Sequence, residues 1–399
     1  MSGPGDRSNI LYLTHNYPRH PADFSGRFIA RLAAMIAQQY SRVHVLAPHD
    51  AGAALEETMD RVRVRRFRYA ADANEALAYR GDWRSSSLFG PRGLWAHRRF
   101  FRAFDRETQR MIRELSPRLL HAHWWVPAGW IARRYRRDER PLIVTLHGTD
   151  VRLLRQKRWL RPLAGRVLAR ADLITTVSTW LADDIRTLYP RAADKIRVAP
   201  MPPDDAIFVP AATPRPANDP PLIVSVTRFT AQKRNDILIR ALARLRDQGI
   251  RFCCRLIGDG GPLRQNIESL VTELGLTASV EFAGSITQTA LAEEYRRADL
   301  VALTAVQEGF GMALVEAQLC GCAVVGVRSG GVTDIIEDGR TGLLARPDDP
   351  DDLAVVLEGA LADSSQRPHL AASGMESARR QFSSEAIANR FIEWYKTLS

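Results

Sequence analysis

The chain has 399 residues and a formal net charge of +11, with 45% hydrophobic and 25% charged residues. This length accommodates two domains, and this composition is typical of a soluble globular protein. No apolar stretch is long enough to cross a bilayer, and the first nine residues lack the apolar core of a signal peptide. We therefore expect a cytoplasmic protein rather than an integral membrane protein or a secreted one.

Basic residues are concentrated in the first half of the chain. Residues 1–200 contain 36 Lys and Arg against 19 Asp and Glu, whereas residues 201–399 contain 20 against 26. A strongly basic half predicts an anionic partner, which by charge alone is a membrane surface, a nucleic acid or a phosphorylated acceptor.

The first half alternates short β-rich runs with helical stretches, of which the first is a helix predicted over Arg27–Gln39. Such alternation predicts a parallel sheet that is covered by helices on both faces. The predicted strands of this half are residues 10–14, 43–47, 119–122, 142–146 and 173–177.

A proline-rich segment divides the chain, because residues 200–221 contain eight prolines and little periodicity. The alternation then resumes, with predicted helices over residues 236–247 and 263–274. The predicted strands of this second half are residues 222–226, 251–257, 280–282, 300–303 and 323–327.

Two similar halves predict an α/β protein with two Rossmann-like domains that face an interdomain cleft. In open sheets of this type, ligands bind beyond the carboxyl ends of the strands. The predicted parts are an N-terminal Rossmann-like domain (1–203), a Pro-rich linker (204–220), a C-terminal Rossmann-like domain (221–375) and a C-terminal helix (376–399) that packs back toward the N-terminal domain.

The most informative segment is residues 308–316, Glu-Gly-Phe-Gly-Met-Ala-Leu-Val-Glu, which follows an apolar strand. Gly309 and Gly311 allow tight turns and a close approach of ligand to backbone. The apolar run after Gly311 predicts a helix whose N-terminus suits a diphosphate. Glu308 and Glu316 would then reach opposite ends of one ligand. The alternative is a plain tight turn with two solvated acids.

A second polar segment, residues 227–235, follows the first strand of the second half. Arg228 and Lys233 lie just beyond the carboxyl end of this strand, where both side chains can converge on phosphate oxygens. Two fixed cations would stabilise a departing nucleotide diphosphate without a metal ion. The alternative is a solvated basic loop.

Together these segments resemble the family 4 retaining glycosyltransferases of the GT-B fold, also called glycosyl transferases group 1. In that family an Arg and a Lys after the first C-terminal strand precede a Glu-x7-Glu motif with an internal Gly-Phe-Gly. The resemblance spans about residues 10–395. Further pieces that agree with the family are Gly258-Asp259-Gly260, Gly330-Gly331, Thr341-Gly342-Leu343-Leu344 and His147-Gly148-Thr149-Asp150.

The resemblance implies a retaining transfer of a hexosyl unit from a UDP- or GDP-sugar, with neither a metal nor a cofactor besides the donor. It implies that Arg228 and Lys233 hold the diphosphate, that Glu316 binds the ribose hydroxyls and that Glu308 binds sugar hydroxyls. It also implies main-chain contacts to the donor from Ile286, Phe310, Gly311 and Met312.

The N-terminal half departs from the family pattern at one loop. The family's first loop usually has adjacent glycines, but here only Gly26 is present, and we expect its amide to approach phosphate. His147 matches a family position near the transferred sugar, which implies a catalytic role with Glu308. Asp150 is expected either to contact the acceptor or to cap a helix.

A cluster of aromatic and imidazole side chains, His121-Ala122-His123-Trp124-Trp125, follows a predicted strand. His121 and His123 face the same side of a strand, so they could share a metal ion. No third ligand is evident in the sequence, and we expect no metal ion at this place. Trp124 and Trp125 are predicted to line the acceptor site, because aromatic faces suit sugar rings. The alternative is two core tryptophans.

The acceptor remains open between a saccharide, a glycolipid or lipid-linked saccharide of a bacterial surface polysaccharide, and a small metabolite. A basic amphipathic helix predicted over residues 92–115 would either rest on an anionic membrane or be a core helix with a solvated basic face. If the helix rests on a membrane, we expect the protein at the inner face of the cell membrane. We expect no nucleic acid partner. A sugar-nucleotide epimerase, a phosphorylase and a catalytically silent binding protein are the competing functions.

Overall fold

The computed structural model describes residues 8–20, 23–75, 77–79, 91–213, 218–362 and 365–398, and only the backbone of residues 91 and 92. These residues form two compact units. Unit 1 comprises Met1–Pro202 together with Ile387–Ser399, and unit 2 comprises Pro203–Ala386. Each unit contains its own sheet with helices packed on it.

Unit 1 contains an eight-stranded sheet in which every neighbouring pair is parallel except the β3–β4 pair at one edge. The strand order is β3-β4-β2-β1-β5-β6-β7-β8. The strands are β1 (Asn9–Leu13), β2 (Arg42–Pro48), β3 (Glu56–Met59), β4 (Val62–Phe67), β5 (Leu119–His123), β6 (Leu142–Leu146), β7 (Leu173–Thr176) and β8 (Ile196–Val198).

The helices of unit 1 connect these strands in the alternating manner that parallel pairing requires. They are α1 (Arg27–Gln39), α2 (Pro91–Leu115), α3 (Trp130–Ala132), α4 (Thr149–Gln156), α5 (Arg161–Arg170) and α6 (Thr179–Leu188). Helix α2 buries Phe100 and Phe104 against Phe67 of β4, and the rings of Phe104 and Phe67 stack at 4.6 Å. Part of the apolar stripe that could have faced a membrane therefore belongs to the core, including Met111 and Ile112.

Unit 2 contains a six-stranded, fully parallel sheet in the order β11-β10-β9-β12-β13-β14, which is the order of the doubly wound Rossmann fold. The strands are β9 (Leu222–Val226), β10 (Cys253–Ile257), β11 (Val280–Gly284), β12 (Leu300–Leu303), β13 (Ala323–Val327) and β14 (Leu343–Ala345). The helices are α7 (Asn235–Asp247), α8 (Arg264–Glu273), α9 (Gln288–Arg297), α10 (Met312–Leu319), α11 (Pro350–Ala362) and α12 (Gln366–Phe382).

The proline-rich segment belongs to unit 2 from Pro203 onward. Phe208 is buried beside the ring of Tyr295, with ring centroids 5.9 Å apart. The guanidinium of Arg296 donates hydrogen bonds to the carbonyls of Ile207 and Val209, at 2.9 and 2.7 Å. These contacts give the segment a fixed path in spite of its lack of secondary structure.

The last helix, α13 (Ser384–Leu398), begins in unit 2 and continues in unit 1. At its start the Ser384 hydroxyl donates to the Pro203 carbonyl at 2.9 Å. Near its end the Tyr395 hydroxyl lies 2.6 Å from the Tyr12 hydroxyl and 2.7 Å from Nδ1 of His121. Since Tyr395 is fully buried, the tail forms part of the core of unit 1.

Candidate functional site

The loop after β9 carries Arg228 and Lys233 and is held by close backbone packing. The turn at Gly258–Gly261 lies directly against Thr227 and Phe229, and a Cβ at Gly258 or Gly261 would overlap the carbonyl oxygen of one of these two residues. Both glycines have positive φ, which only glycine adopts readily. Arg228 is exposed, whereas Lys233 is half-buried. The loop therefore presents one exposed cation and one half-buried cation.

Lys233 is fixed by an ion pair with the loop after β12. Its Nζ lies 2.8 Å from Oε2 of Glu308, and both side chains are largely shielded, at 20% and 17% exposed. The backbones of the two loops are also joined, because the Val306 amide donates to the Gln232 carbonyl at 2.9 Å. Strands β9 and β12 are neighbours in the sheet, so their carboxyl ends bring together two residues that are 75 positions apart.

The position of Glu308 is set by the turn after β13. The Gly331 amide donates to the Glu308 carbonyl at 2.8 Å, and the Gln307 amide donates to the Ser329 hydroxyl at 2.9 Å. A Cβ at Gly330 would overlap the backbone of Glu308, and Gly330 has a φ of 65°. The turn can therefore approach Glu308 only with glycine at position 330.

Helix α10 begins beside Glu308 and directs its first amides to the same place. Gly311 is its N-cap, with a φ of 111°, and Met312 is its first residue. The ring of Phe310 is buried and contacts the ring of Phe382 edge to face at 5.3 Å. The buried ring of Phe310 is thus not available to a ligand. A helix N-terminus of this kind favours an anion.

Glu316 lies about one turn further along α10. The Tyr295 hydroxyl donates to its Oε2 at 3.3 Å. Burial raises the pKa of the Glu316 carboxyl to about 8, although part of the residue reaches solvent. Ile286 is half-exposed and immediately precedes Thr287, the N-cap of α9. The structure thus places all the predicted donor-binding residues of the second half on loops and helix starts at the carboxyl ends of β9, β11 and β12.

Gly26 in unit 1 is the N-cap of α1, with a φ of 66°. A Cβ at this position would overlap the carbonyl oxygen of Asn16. One glycine therefore suffices for the close approach of the helix start to the loop after β1.

His147 follows β6 and is surrounded by rings. Its Nε2 lies 3.1 Å from Nδ1 of His123, and its ring centroid is 4.3 Å from that of Trp124 and 5.2 Å from that of Phe28. Burial holds the pKa of His147 and of His123 well below the usual range, so both imidazoles are neutral at pH 7. A neutral His147 can exchange hydrogen bonds with a sugar hydroxyl without introducing a charge.

Asp150 closes the turn that carries His147. Its Oδ1 accepts hydrogen bonds from the amides of His147, Gly148 and Val151, at 3.1, 3.0 and 3.0 Å. The residue is 4% exposed, and burial raises its pKa to about 6. The N-cap of α4 is Gly148, so Asp150 is the second residue of the helix and not its cap. It positions His147 from a site that solvent scarcely reaches.

The two tryptophans are less accessible than an acceptor surface requires. Trp125 is 1% exposed, and its Nε1–H donates to the Asp150 carbonyl at 3.2 Å. Trp124 is 7% exposed, and its Nε1–H donates to the Thr149 hydroxyl at 3.0 Å. Burial assigns Trp125 to the core, which corrects the expectation that it lines an acceptor site. Trp124 is also buried, and its ring packs against the ring of His147.

The sequence did not single out His15, Phe28 or Tyr295. His15 follows β1 and contacts Trp124 at a centroid distance of 4.4 Å, and burial lowers its pKa to about 4. His15 and His147 both lie just beyond the carboxyl end of a buried strand, which is where ligands bind in open α/β sheets. The sequence could therefore have indicated His15 by the same reasoning as His147. Phe28 and Tyr295 lie on helices, where no local pattern distinguishes them from core residues.

Two groups of side chains bear on the question of a metal. Both ring nitrogens of His121 are engaged, Nδ1 with the Tyr395 hydroxyl at 2.7 Å and Nε2 with the Thr145 hydroxyl at 2.6 Å, so His121 and His123 are not arranged as a pair of ligands. Within the described ranges, the one group of three possible ligands is His49, Asp72 and Glu75. His49 already contacts Glu75 at 2.5 Å and the Ala53 carbonyl at 3.0 Å.

Comparison with known families agrees with this arrangement. The model of glycosyltransferase family 4 matches residues 25–206, and the model of glycosyl transferases group 1 matches residues 212–377. The chain belongs to the family 4 glycosyltransferases. This confirms the resemblance recognised in the sequence, and the protein is a glycosyltransferase with two parallel-sheet α/β domains of the GT-B type.

Relatives and solved structures support the family and the fold. The D-inositol 3-phosphate glycosyltransferase of Xylanimonas cellulosilytica is 31% identical over 69% of this chain and 71% of its own length. Across three such relatives the aligned share of their length is 52 to 71%. Sucrose-phosphate synthase from Thermosynechococcus elongatus superposes with a TM-score of 0.82, at 24% identity over 98% of this chain and 99% of its own. Anabaena HepE, solved with UDP-glucose, superposes with a TM-score of 0.72, at 20% identity over 98% of this chain and 100% of its own.

Proposed function

We propose that this glycosyltransferase transfers a hexosyl unit from a UDP- or GDP-sugar to an acceptor hydroxyl, with retention at the anomeric carbon. The observation that carries the proposal is the contact of Lys233 with Glu308 beside the first turn of α10. It places a cation, a carboxylate and a helix N-terminus together, as a sugar diphosphate requires. The UDP-glucose complex of the structurally similar HepE supports a nucleotide-sugar donor.

Each part of the donor has a candidate partner in unit 2. Arg228 and Lys233 bind the diphosphate, aided by the amides of Phe310, Gly311 and Met312. Glu316 accepts hydrogen bonds from the ribose hydroxyls, and the backbone at Ile286 contacts the base. Glu308 holds the sugar hydroxyls. For unit 1, the resemblance implies a sugar contact for His147 and a phosphate contact for the Gly26 amide. These are the roles that the family resemblance implies.

The proposed reaction follows a same-face route. The acceptor oxygen bonds to the anomeric carbon on the face from which the diphosphate leaves, the bond from that carbon to the phosphate oxygen breaks, and the acceptor proton passes to the departing phosphate. Glu308 is engaged by Lys233 at 2.8 Å, which suits holding hydroxyls more than attack on carbon. The cations stabilise the leaving group, and we propose that no metal ion is needed.

For the acceptor we propose a saccharide or lipid-linked saccharide at the inner face of a bacterial membrane, as in surface polysaccharide synthesis. None of the described helices combines the length and the apolarity that a membrane span requires. A second candidate is a small phosphorylated polyol, which the name of the D-inositol 3-phosphate glycosyltransferases favours and which the basic first half would attract.

One assay separates these possibilities. The protein is incubated in EDTA with a panel of UDP- and GDP-sugars, and with a bacterial lipid extract, oligosaccharides or inositol phosphates. Nucleotide release that depends on one acceptor class identifies both substrates, and the anomeric configuration of the product is determined by NMR. Conversion of the donor without any acceptor product would indicate an epimerase, and tight nucleotide binding without turnover across the panel would indicate a silent binding protein. An absolute need for added Mg²⁺ or Mn²⁺ would contradict the metal-independent mechanism.

A further inference from the structure

Two tryptophans of unit 1 are largely exposed to solvent. Trp95 in the second turn of α2 is 60% exposed, next to Leu94 at 62%, and Trp159 just before α5 is 66% exposed. Indole side chains are normally buried because they carry a large apolar surface. Their exposure is separate from the core face of α2, which Phe100 and Phe104 form. It therefore indicates a surface that another molecule covers.

The topology brings both tryptophans to one edge of the sheet. Helix α2 leads into β5 after three residues and α5 leads into β7 after two, so both helices end at the amino edge and begin at the carboxyl edge. The crossovers β4-α2-β5 and β6-α5-β7 run in the same direction across the sheet, and right-handed connections place both helices on the same face. Trp95 and Trp159 thus lie on one face, toward the carboxyl edge.

Basic residues surround both tryptophans. Residues 151–171 contain seven Lys and Arg and no Asp or Glu, and residues 93–104 contain three Arg and no acid. Lys157 and Arg158 are exposed beside Trp159, and the guanidinium of Arg99 lies over the ring of Trp95, 4.5 Å from its centroid. The surface combines exposed apolar groups with a local excess of basic side chains, of which Arg155 is paired with Asp184 at 2.7 Å.

We propose that this surface, the tryptophan edge formed by Leu94, Trp95, Lys157, Arg158 and Trp159, docks on an anionic lipid bilayer. Tryptophan prefers the interface between headgroups and acyl chains, and lysine and arginine are attracted to anionic headgroups. A nucleic acid or a soluble polyphosphate would satisfy the basic side chains but would leave Leu94 without an apolar partner. The inference deepens the proposed membrane location, and it does not depend on the identity of the donor.

Docking at this edge orients the enzyme as well as binding it. His147 also follows the carboxyl end of a strand of the same sheet, so the tryptophan edge and the predicted sugar-contacting residue share one edge of unit 1. An acceptor whose lipid tail remains in the bilayer would have to extend only its saccharide from the surface. This explains why the exposed tryptophans lie toward the carboxyl edge and not at the amino edge.

The test is flotation of the full chain with vesicles of phosphatidylcholine alone or with 40% phosphatidylglycerol. We expect flotation only with the anionic vesicles, weakening as salt rises. In Lys157→Gln/Arg158→Gln the partition coefficient should fall about 25-fold at low salt, roughly five-fold for each charge. In Trp95→Ala/Trp159→Ala it should fall by at least about tenfold. The matched control is Arg240→Gln/Val355→Ala, which removes an exposed charge and an exposed apolar side chain of unit 2 and should float as the wild type does.

A second readout excludes a folding defect. Brominated phosphatidylcholine in the anionic vesicles should quench part of the tryptophan emission of the wild type, and Trp95→Phe/Trp159→Phe should lose that quenching while still floating. Nucleotide release with a water-soluble acceptor should be unchanged in all variants, so a failed docking surface is distinguished from a failed glycosyltransferase. Absence of flotation with anionic vesicles at low salt would overturn the proposal. So would unchanged flotation of the double alanine variant, or binding of soluble polyphosphate in place of vesicles.

Discussion

Lys233 and Glu308 form an ion pair of 2.8 Å that joins the loops after two neighbouring strands of the second sheet. Both side chains of the pair are largely shielded from solvent, so in the free enzyme each charge is stabilised mainly by the other. A diphosphate that binds Lys233 must compete with this carboxylate, and a sugar that binds Glu308 must compete with this ammonium. The pair therefore gives both groups a defined position before the donor arrives.

Removal of the cations should weaken nucleotide binding. Arg228→Ala and Lys233→Ala each delete a charge-assisted contact to phosphate, which is worth about 1.5–3 kcal/mol. We expect the affinity for UDP or GDP, measured by calorimetry, to fall about 10- to 150-fold in either variant. Arg240→Ala, which changes an exposed arginine of α7, is the control and should bind as the wild type does. Unchanged affinity in both test variants would remove Arg228 and Lys233 from the diphosphate site.

Loss of the groups near the sugar should affect turnover more than binding. Glu308→Gln and His147→Ala remove hydrogen bonds to the sugar but leave the phosphate contacts in place. We expect kcat to fall by at least about 100-fold in each, with the affinity for UDP or GDP changed less than about threefold. Because Glu308→Gln also frees Lys233, a modest gain in nucleotide affinity in this variant is consistent with the ion pair. Turnover near the wild-type value in both would mean that the reaction centre lies elsewhere.

Gly330 should be needed for the position of Glu308. In Gly330→Ala the new Cβ meets the backbone of Glu308, and φ at 65° disfavours any Cβ. We expect the loop to move and kcat to fall by at least about tenfold, as misplacement of a catalytic group does. Gly339→Ala is the control, since Gly339 also has positive φ, at 75°, but a Cβ there meets no atom within 4 Å. Equal kcat in the two variants would show that backbone strain, and not Glu308, accounts for any loss.

The strands that carry the site could be predicted from the sequence with accuracy. The runs 142–146, 222–226, 300–303 and 323–327 coincide with β6, β9, β12 and β13 because strands of a parallel sheet are buried on both faces and are continuously apolar. The site loops follow these strands directly. The positions of Arg228, Lys233, Glu308 and Glu316 relative to the sheet were therefore available before the structure.

What the sequence could not show depends on contacts between distant residues. Strands β3 and β4 were missed because β4 contains Arg63, Arg65 and Arg66, which obscure its alternation. Arg66 is nonetheless buried, since its guanidinium donates to the carbonyls of Pro18 and Ala54 at 2.6 and 2.9 Å. Likewise Cys253 stands beside Cys254 in an apolar run of the sequence, but it is exposed as the first residue of β10 whereas Cys254 is buried. No local pattern contains this information.

The raised pKa of Glu316 leads to a prediction about pH. Burial raises the pKa of this carboxyl to about 8, so in the free enzyme it is mostly protonated at pH 7. Ribose hydroxyls donate to a carboxylate, so binding should favour the ionised form and lower this pKa in the complex. Nucleotide affinity should then rise with pH up to about 8 and become constant above it, and binding at pH 7 should release close to one proton.

Calorimetry between pH 7 and 9, in buffers of different ionisation enthalpy, measures both the affinity and the proton release. This range lies above the second phosphate pKa of about 6, so the charge of the phosphate changes little. Glu316→Gln, which has nearly the same shape and no titratable proton, should bind with an affinity that is independent of pH and without proton release. Tyr295→Phe removes the hydrogen bond to Oε2 and should shift the pH dependence to higher pH, because that hydrogen bond lowers the pKa of Glu316. If the wild type binds nucleotide without proton release at pH 7, Glu316 does not receive the ribose as a carboxylate, and its assignment to this part of the donor is wrong.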